Sequence, residues 1–292
     1  MSIIVALLIF SLIVVFHELG HFIPAKLGDI GVTSFSLGMG PAIFKKKIGE
    51  TEYCIRILPF GGSCAMVGED EASDEENSFQ KKSVWTRIAV VAGGPVFNFI
   101  MAFIGSVIMI ACIGIDKPII AETMDGFPAY EAGVRAGDEI ISMNGRKMGV
   151  YRDVSMYIQM HQGETIELVY ERDDQRYEAT IVPQLSEDGY YLMGITGGIY
   201  EKCQNPLQVL GYGVKQVNYW IHMVFDSLRM MVSGKVNRED VGGPVRIVGM
   251  IGETYEESAK EGLFTVFINM LNMVIFLSAN LGVMNLLPIP AL

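Results

Sequence analysis

His17, Glu18 and His21 lie in the stretch His17-Glu-Leu-Gly-His21, a His-Glu-x-x-His motif. On a helix, side chains four residues apart share one face. Two imidazoles at that spacing can reach one Zn²⁺ at about 2.0–2.1 Å, and a glutamate beside them can take a proton from an attacking water. The plain alternative is a pair of histidines that sit at a helix end in the membrane interface. The motif, however, closes an apolar run. An ionisable group inside a span costs about 2.5–3.5 kcal/mol on insertion scales, so it marks a functional candidate. Three such groups occupy one turn here, in a chain with four histidines. The motif reads as a zinc site with His17 and His21 as ligands and Glu18 as general base.

The elements that position this motif must be membrane elements. Half of the 292 residues are hydrophobic, 19% are charged, and the mean hydropathy is +0.34. Those values exclude a disordered chain and an ordinary soluble enzyme. A net charge of −11 leaves no basic stripe for phosphates, so nucleic acid is not an expected partner. Cys54, Cys64, Cys112 and Cys203 lack the spacing of a disulfide framework or a thiolate metal site. Three stretches are apolar over lengths that can cross about 30 Å of hydrocarbon: about 3–25, about 88–113, and 262–292. The first is not a cleaved leader, because nothing basic precedes it and no small-residue cleavage site follows. Lys26, Lys45, Lys46, Lys47, Arg56, Lys81 and Lys82 between the first two spans place that loop in the cytoplasm. The N-terminus and the segment from Asp116 to about Lys260 then lie outside.

Between the spans, residues 32–68 carry short-strand signals. Thr51-Glu-Tyr-Cys-Ile-Arg-Ile57 alternates with apolar Tyr53, Ile55 and Ile57, and Gly61-Gly62 ends it. Either this hairpin offers an edge to an unwound substrate by β-augmentation, or it packs on the membrane surface. The acidic run Glu69–Glu76 reads as a solvated loop. Residues 116–200 read as a compact β-rich module with strands at 165–170 and 177–182. A helix is expected at 151–160, and turns at Gly137-Asp138 and Asn144-Gly145. Residues 206–232 repeat apolar positions at helical spacing, while Lys215, Asp226 and Arg229 argue for an interfacial helix rather than a span. His161 and His222 fall in these outer segments and are not expected to bind zinc.

With these pieces in view, the chain resembles the site-2 protease family of intramembrane zinc metalloproteases. It resembles most the bacterial branch that carries out regulated intramembrane proteolysis. The similarity rests on His17–His21 at the end of the first span. It also rests on Phe35–Pro41 with Leu58–Gly62 as a membrane-associated β-hairpin, and on Ala92-Gly-Gly-Pro-Val-Phe-Asn98 as a G-P-x-x-N element. Ala132–Gly145 resembles the centre of a bacterial PDZ domain, and Gly243–Val248 the segment before the third span. Asn285-Leu-Leu-Pro-Ile-Pro-Ala-Leu292 resembles the start of an N-x-x-P-x-P-x-L-D-G motif.

The resemblance implies a polytopic α-helical membrane protein with a membrane-associated β-hairpin loop and an inserted extracytoplasmic PDZ domain, mainly β. Residues 1–115 would be the first part of the membrane domain, 116–200 the PDZ domain, 201–261 an amphipathic interfacial helix region and 262–292 the third span. It implies Zn²⁺ as cofactor and the lipid bilayer as surroundings. The substrates would be transmembrane proteins such as anti-sigma factors or signal-peptide remnants. The implied location is the bacterial inner membrane, multi-pass, with the active site near the cytoplasmic face. Asn98, Asn285, Pro288 and Pro290 are implied to hold substrate. Asn98 and Asn285 could equally make helix–helix hydrogen bonds. The PDZ domain could bind peptides or filter substrates by size. In the family the third ligand is the Asp of L-D-G, which would follow Leu292, and a fourth span usually comes after it. The chain as written is therefore expected to be a fragment without activity. A membrane-anchored PDZ adaptor that binds without cleaving is the alternative from another class. A zinc transporter is weaker, since no second half carries matching interrupted helices.

Overall fold

The computed structural model describes residues 2–287 apart from 70, 72 and 235–241. Seven α-helices occur among the described residues: α1 (Ser2–Leu27), α2 (Val84–Ile113), α3 (Pro128–Glu131), α4 (Tyr151–Met160), α5 (Pro206–Val232), α6 (Pro244–Glu261) and α7 (Leu263–Leu286). The chain divides into two units, one made of 1–105 with 239–292 and the other of 106–238.

The first unit contains helices α1, α2 and α7, each long and apolar enough to cross a membrane. Their outward faces carry Ile3, Leu8, Val91, Leu263 and Phe264, all exposed. Apolar side chains on every face suit a helix surrounded by lipid rather than water. Inward, Ala6, Ile9 and Ile13 of α1 pack with Met101 of α2, Ile251 of α6 and Val274 and Leu277 of α7. Helix α6 falls within residues 201–261, which the sequence marks as an amphipathic helix region but where only the 206–232 helix has explicit spacing signals. Gly243 caps α6, Pro244 opens it, and buried Ile251 with partly buried Ile247 and Val248 forms its inward stripe. Asn269 donates to Ser258 Oγ at 2.7 Å and joins α6 to α7. The third span is shorter than the apolar stretch that suggests it. Its helix ends at Leu286, and Leu287, the residue before Pro288, is extended, as the clash with a following proline ring favours. Pro288 and Pro290 lie outside the described residues.

Strands β1 (Val32–Ile48) and β2 (Thr51–Met66) make the hairpin in the same unit, antiparallel. Phe35 stands opposite both Tyr53 and Cys64, so β2 folds back along both edges of β1. Val32, Phe35 and Cys64 pack with Ala25 and Val90 and fix the hairpin to α1 and α2. Ser11 also donates to the carbonyl of Pro59 at 2.9 Å. Ile43, Phe44, Ile48, Ile55 and Ile57 point away from this core and are exposed.

The second unit is built on a four-stranded antiparallel sheet. In spatial order its strands are 146–147, 139–143, 166–172 and 175–181. Ile166, Leu168 and Tyr170 alternate inward and meet Val154, Tyr157 and Ile158 of α4 in one core with Ile140, Met143 and Ile181. Asn144 and Gly145 both take positive φ, 47° and 77°, in the two-residue turn between 139–143 and 146–147. Helix α5 starts at Pro206, where the side chain of Asn205 accepts from the Gln208 amide. Buried acids are held by arginines. Arg172 grips Asp138 with two bonds of 2.7 Å, and Arg146 bonds Asp153 at 2.6 Å while also reaching Asp226.

Candidate active site

His17 and His21 lie one turn apart on α1 and are half-buried against α2. Their Nε2 atoms are 3.2 Å apart. Two ligands at tetrahedral angles on a metal at about 2.0–2.1 Å would be separated by about 3.3 Å. The pair therefore fits a shared zinc ion.

Helix α2 supports the pair with a stripe at four-residue spacing. The carbonyl of Val90 accepts from His21 Nδ1 at 2.8 Å. A carbonyl can only accept, so the His21 proton is on Nδ1 and Nε2 presents a lone pair. Gly94 comes next, and a Cβ there would collide with the His21 ring and lie 2.7 Å from His17 Cε1. Asn98 follows, fully buried, with its side-chain amide 3.0 Å from His17 Nδ1. Close approach of the two helices makes this possible, because Gly20 and Gly93 bring backbone against backbone, where any side chain would clash. Glu18 projects beside the histidines. Gly62 of β2 leaves it room, since a Cβ at that glycine would stand 2.6 Å from Glu18 Cγ. The hairpin thus lies against the carboxylate of the motif.

The other expected site residues divide. Asn285, near the end of α7, is exposed and lines a cavity of about 420 Å³ together with Phe79, Arg87, Ile88 and Val91. The helix positions of Val91 and Ala92 place this cavity wall one turn from Gly94. Among the described residues, no third His, Cys, Asp or Glu joins the histidine pair in a metal-holding group. His161 stacks on Tyr157 at 3.9 Å, and His222 stands 4.0 Å from Asp153. Both are thus engaged within the 106–238 unit.

Peptidase family M50 matches residues 5–292. The chain belongs to this family. M50 is the site-2 protease family, and its relatives extend over the whole chain. A Clostridium acetobutylicum protein bearing a zinc metalloprotease name is 38% identical over 294 residues, which make up 100% of this chain and 84% of that one. The regulator of sigma-W protease RasP of Bacillus subtilis is 26% identical over 375 residues, 100% of this chain and 87% of that one. Among solved structures, the PDZ domain of an SdrC-like protein from Listeria monocytogenes is 24% identical. It covers 29% of this chain and 90% of its own, with a TM-score of 0.26.

In this M50 chain, the supporting stripe of Val90, Gly94 and Asn98 is only partly visible in the sequence. Asn98 stands out as a polar residue in an apolar span. Gly94 belongs to the same Gly-Gly-Pro element, but nothing in its type says that it makes room for two imidazoles. Ser278 of α7 is a further participant that belongs to no motif in the sequence. It is buried and donates to the Asn98 carbonyl at 2.9 Å. A lone serine among apolar residues was its only signal.

Proposed function

We propose that this M50 protein is a zinc metalloprotease that hydrolyses peptide bonds inside transmembrane segments of single-span membrane proteins. The observation that carries the reading is the 3.2 Å approach of His17 and His21 Nε2 within an apolar helix, beside Glu18. His17 and His21 hold the metal. When bound, Zn²⁺ supplies a Lewis acid that acidifies water and polarises a carbonyl. Glu18 takes a proton from the attacking water and hands it to the leaving amine.

A peptide bond in a membrane helix must also be unwound and reached by water. The hairpin is suited to the first task, because its outer stretches, Phe44–Ile48 and Gly62–Ala65, each pair along one edge and have no strand on the other among the described residues. An extended substrate segment can add there. Asn285, on the cavity beside α2, is proposed to hold substrate backbone, as are Pro288 and Pro290. The exposed apolar residues of the hairpin fit the headgroup boundary of a bilayer. The 106–238 unit is proposed as an extracytoplasmic PDZ domain that admits trimmed substrates, with anti-sigma-factor-like proteins or signal-peptide remnants as the substrate class. The location that follows is the bacterial inner membrane, with the histidines near its cytoplasmic face.

The test uses the full-length gene product in detergent, with zinc content and cleavage of a single-span model substrate as readouts. The expected result is stoichiometric zinc and cutting by wild type, with zinc retained and cutting lost in Glu18→Gln. A wild type that holds no zinc and cuts nothing, where another M50 protein does both, would leave the PDZ adaptor as the better reading.

A further inference from the structure

Asn98 is fully buried, sits two turns after Val90 on α2, and is the polar side chain nearest the outer nitrogen of His17. Its amide nitrogen faces His17 Nδ1 at 3.0 Å, and its Oδ1 has no hydrogen-bond partner. Three hydrogen bonds then form one consistent chain. Asn98 donates to His17 Nδ1, His17 Nε2–H donates to His21 Nε2 at 3.2 Å, and His21 Nδ1–H donates to the Val90 carbonyl at 2.8 Å. In that chain His17 carries its proton on Nε2, the atom that must be bare to ligate a metal. A half-turn of the Asn98 amide reverses this. Oδ1 then accepts from Nδ1–H, the imidazole stays neutral with its proton on the other nitrogen, and Nε2 offers a lone pair. The amide is the one group against His17 Nδ1 that can serve both arrangements. Its backbone is fixed as well, because Ser278 Oγ bonds the Asn98 carbonyl at 2.9 Å.

We propose that Asn98 is a positioning residue that sets the tautomer and orientation of His17 for metal binding, rather than a contact for substrate. The inference rests on the zinc metalloprotease reading. His21 has its counterpart in a backbone carbonyl, which no substitution can remove. His17 meets the Gly94 backbone as well, but its partner at Nδ1 is the Asn98 side chain, so one ligand of the pair can be tested by mutation. Partners of this kind typically change metal affinity by about 10–100-fold when removed.

Zinc affinity of the full-length protein is measured by competition with a chelator, and the KM for a single-span substrate is measured at saturating zinc. The variants are Asn98→Leu, Asn98→Asp and Ser278→Ala. Asn98→Leu should bind zinc about 10–100-fold more weakly with KM unchanged. Asn98→Asp keeps an acceptor for Nδ1–H and should bind at the wild-type level or more tightly. Ser278→Ala should show a smaller loss in the same direction as Asn98→Leu. If Asn98→Leu fails to fold, the Asp and Ala variants still decide, because an Asp variant that loses zinc by the same 10–100-fold overturns the proposal. Unchanged zinc affinity in Asn98→Leu with a raised KM also overturns it and assigns Asn98 to the substrate. A wild type that binds no zinc fails at the earlier step, and the metalloprotease reading falls with it.

Discussion

The two units use buried polar groups in opposite ways. In the helical unit the buried contacts around the histidines are neutral: Asn98 to His17, His21 to the Val90 carbonyl, and Ser278 to the Asn98 carbonyl. In the 106–238 unit the buried contacts are ionic: Asp138 with Arg172, Asp153 with Arg146, and Asp116 with Arg152. A charge in hydrocarbon is costly, so a span retains ionisable groups where chemistry needs them. A water-facing module can place an arginine over a buried acid and leave the guanidinium partly solvated, as Arg172 is at 34% exposure. Polar residues in the first unit therefore predict function, and those in the second predict stability.

The sharpest way to break that contrast is Glu18→Gln in the full-length protein. A general base contributes about 10²–10⁴-fold, so cleavage should fall by that much with zinc binding and unfolding midpoint unchanged. A large stability change with residual activity near wild type would put Glu18 on the structural side. The matching change in the other unit is Asp138→Ala. It strands Arg172 and removes the acceptor for the Arg135 amide, bonded at 2.8 Å. Breaking a buried pair costs about 3–5 kcal/mol, and the partial solvation of Arg172 reduces this to about 2–3 kcal/mol. Hydrogen exchange of the 166–172 strand should report the loss, while chelator competition shows zinc affinity unaltered.

Gly94→Ala gives a third, smaller effect with an informative sign. Alanine is the better helix former by about 1 kcal/mol, so α2 alone would gain. The added Cβ instead meets both imidazoles, and zinc affinity should fall at least about tenfold, the lower end for a disturbed ligand support. Equal or tighter zinc binding would mean that α2 does not set the ligand geometry.

The parts legible in the sequence are those written in local pattern. Three uncharged stretches gave three membrane-length helices. The apolar spacing from Pro206 to Val232 gave α5, and Tyr151–Met160 forms α4. The pair Asn144-Gly145 is a turn because both residues tolerate positive φ. What stayed hidden depends on distance along the chain. Asn98 meets His17 across 81 residues, Ser278 meets Asn98 across 180, and Arg146 meets Asp226 across 80. No local periodicity encodes such contacts. Helix α6 is a different case. Gly243-Pro244 and the spacing of Ile247 and Ile251 were there to be read. In its polar second half, from Glu253 to Glu261, the stripe continues through Thr254 and the buried Ser258 rather than apolar residues, and that masks the pattern.

The smallest expected effect concerns His222 on α5, where the ionic style of the 106–238 unit meets a titratable ring. His222 Nδ1 is 4.0 Å from Asp153 Oδ2, Arg146 bonds the other Asp153 oxygen at 2.6 Å, and Arg146 also reaches Asp226. Burial, and then the Arg146 charge, hold the His222 pKa below its ordinary 6.5, while Asp153 and Asp226 pull it upward. A folded pKa below the unfolded one means that the unfolded chain binds more protons between the two values. The His222 contribution to stability is thus fully present above 6.5 and is lost as pH falls toward the lowered folded value. Asp153 works with the opposite sign. Burial raises its pKa above 3.8, so its share weakens as pH climbs past that point. Between about pH 7.5 and pH 5.5, the range in which histidine titrates, the denaturation midpoint of this unit should fall in wild type and change less in His222→Gln. Equal slopes in the two proteins would show that the ring is solvated in both folded and unfolded chains. The cluster would then be held by Arg146 and its two aspartates alone.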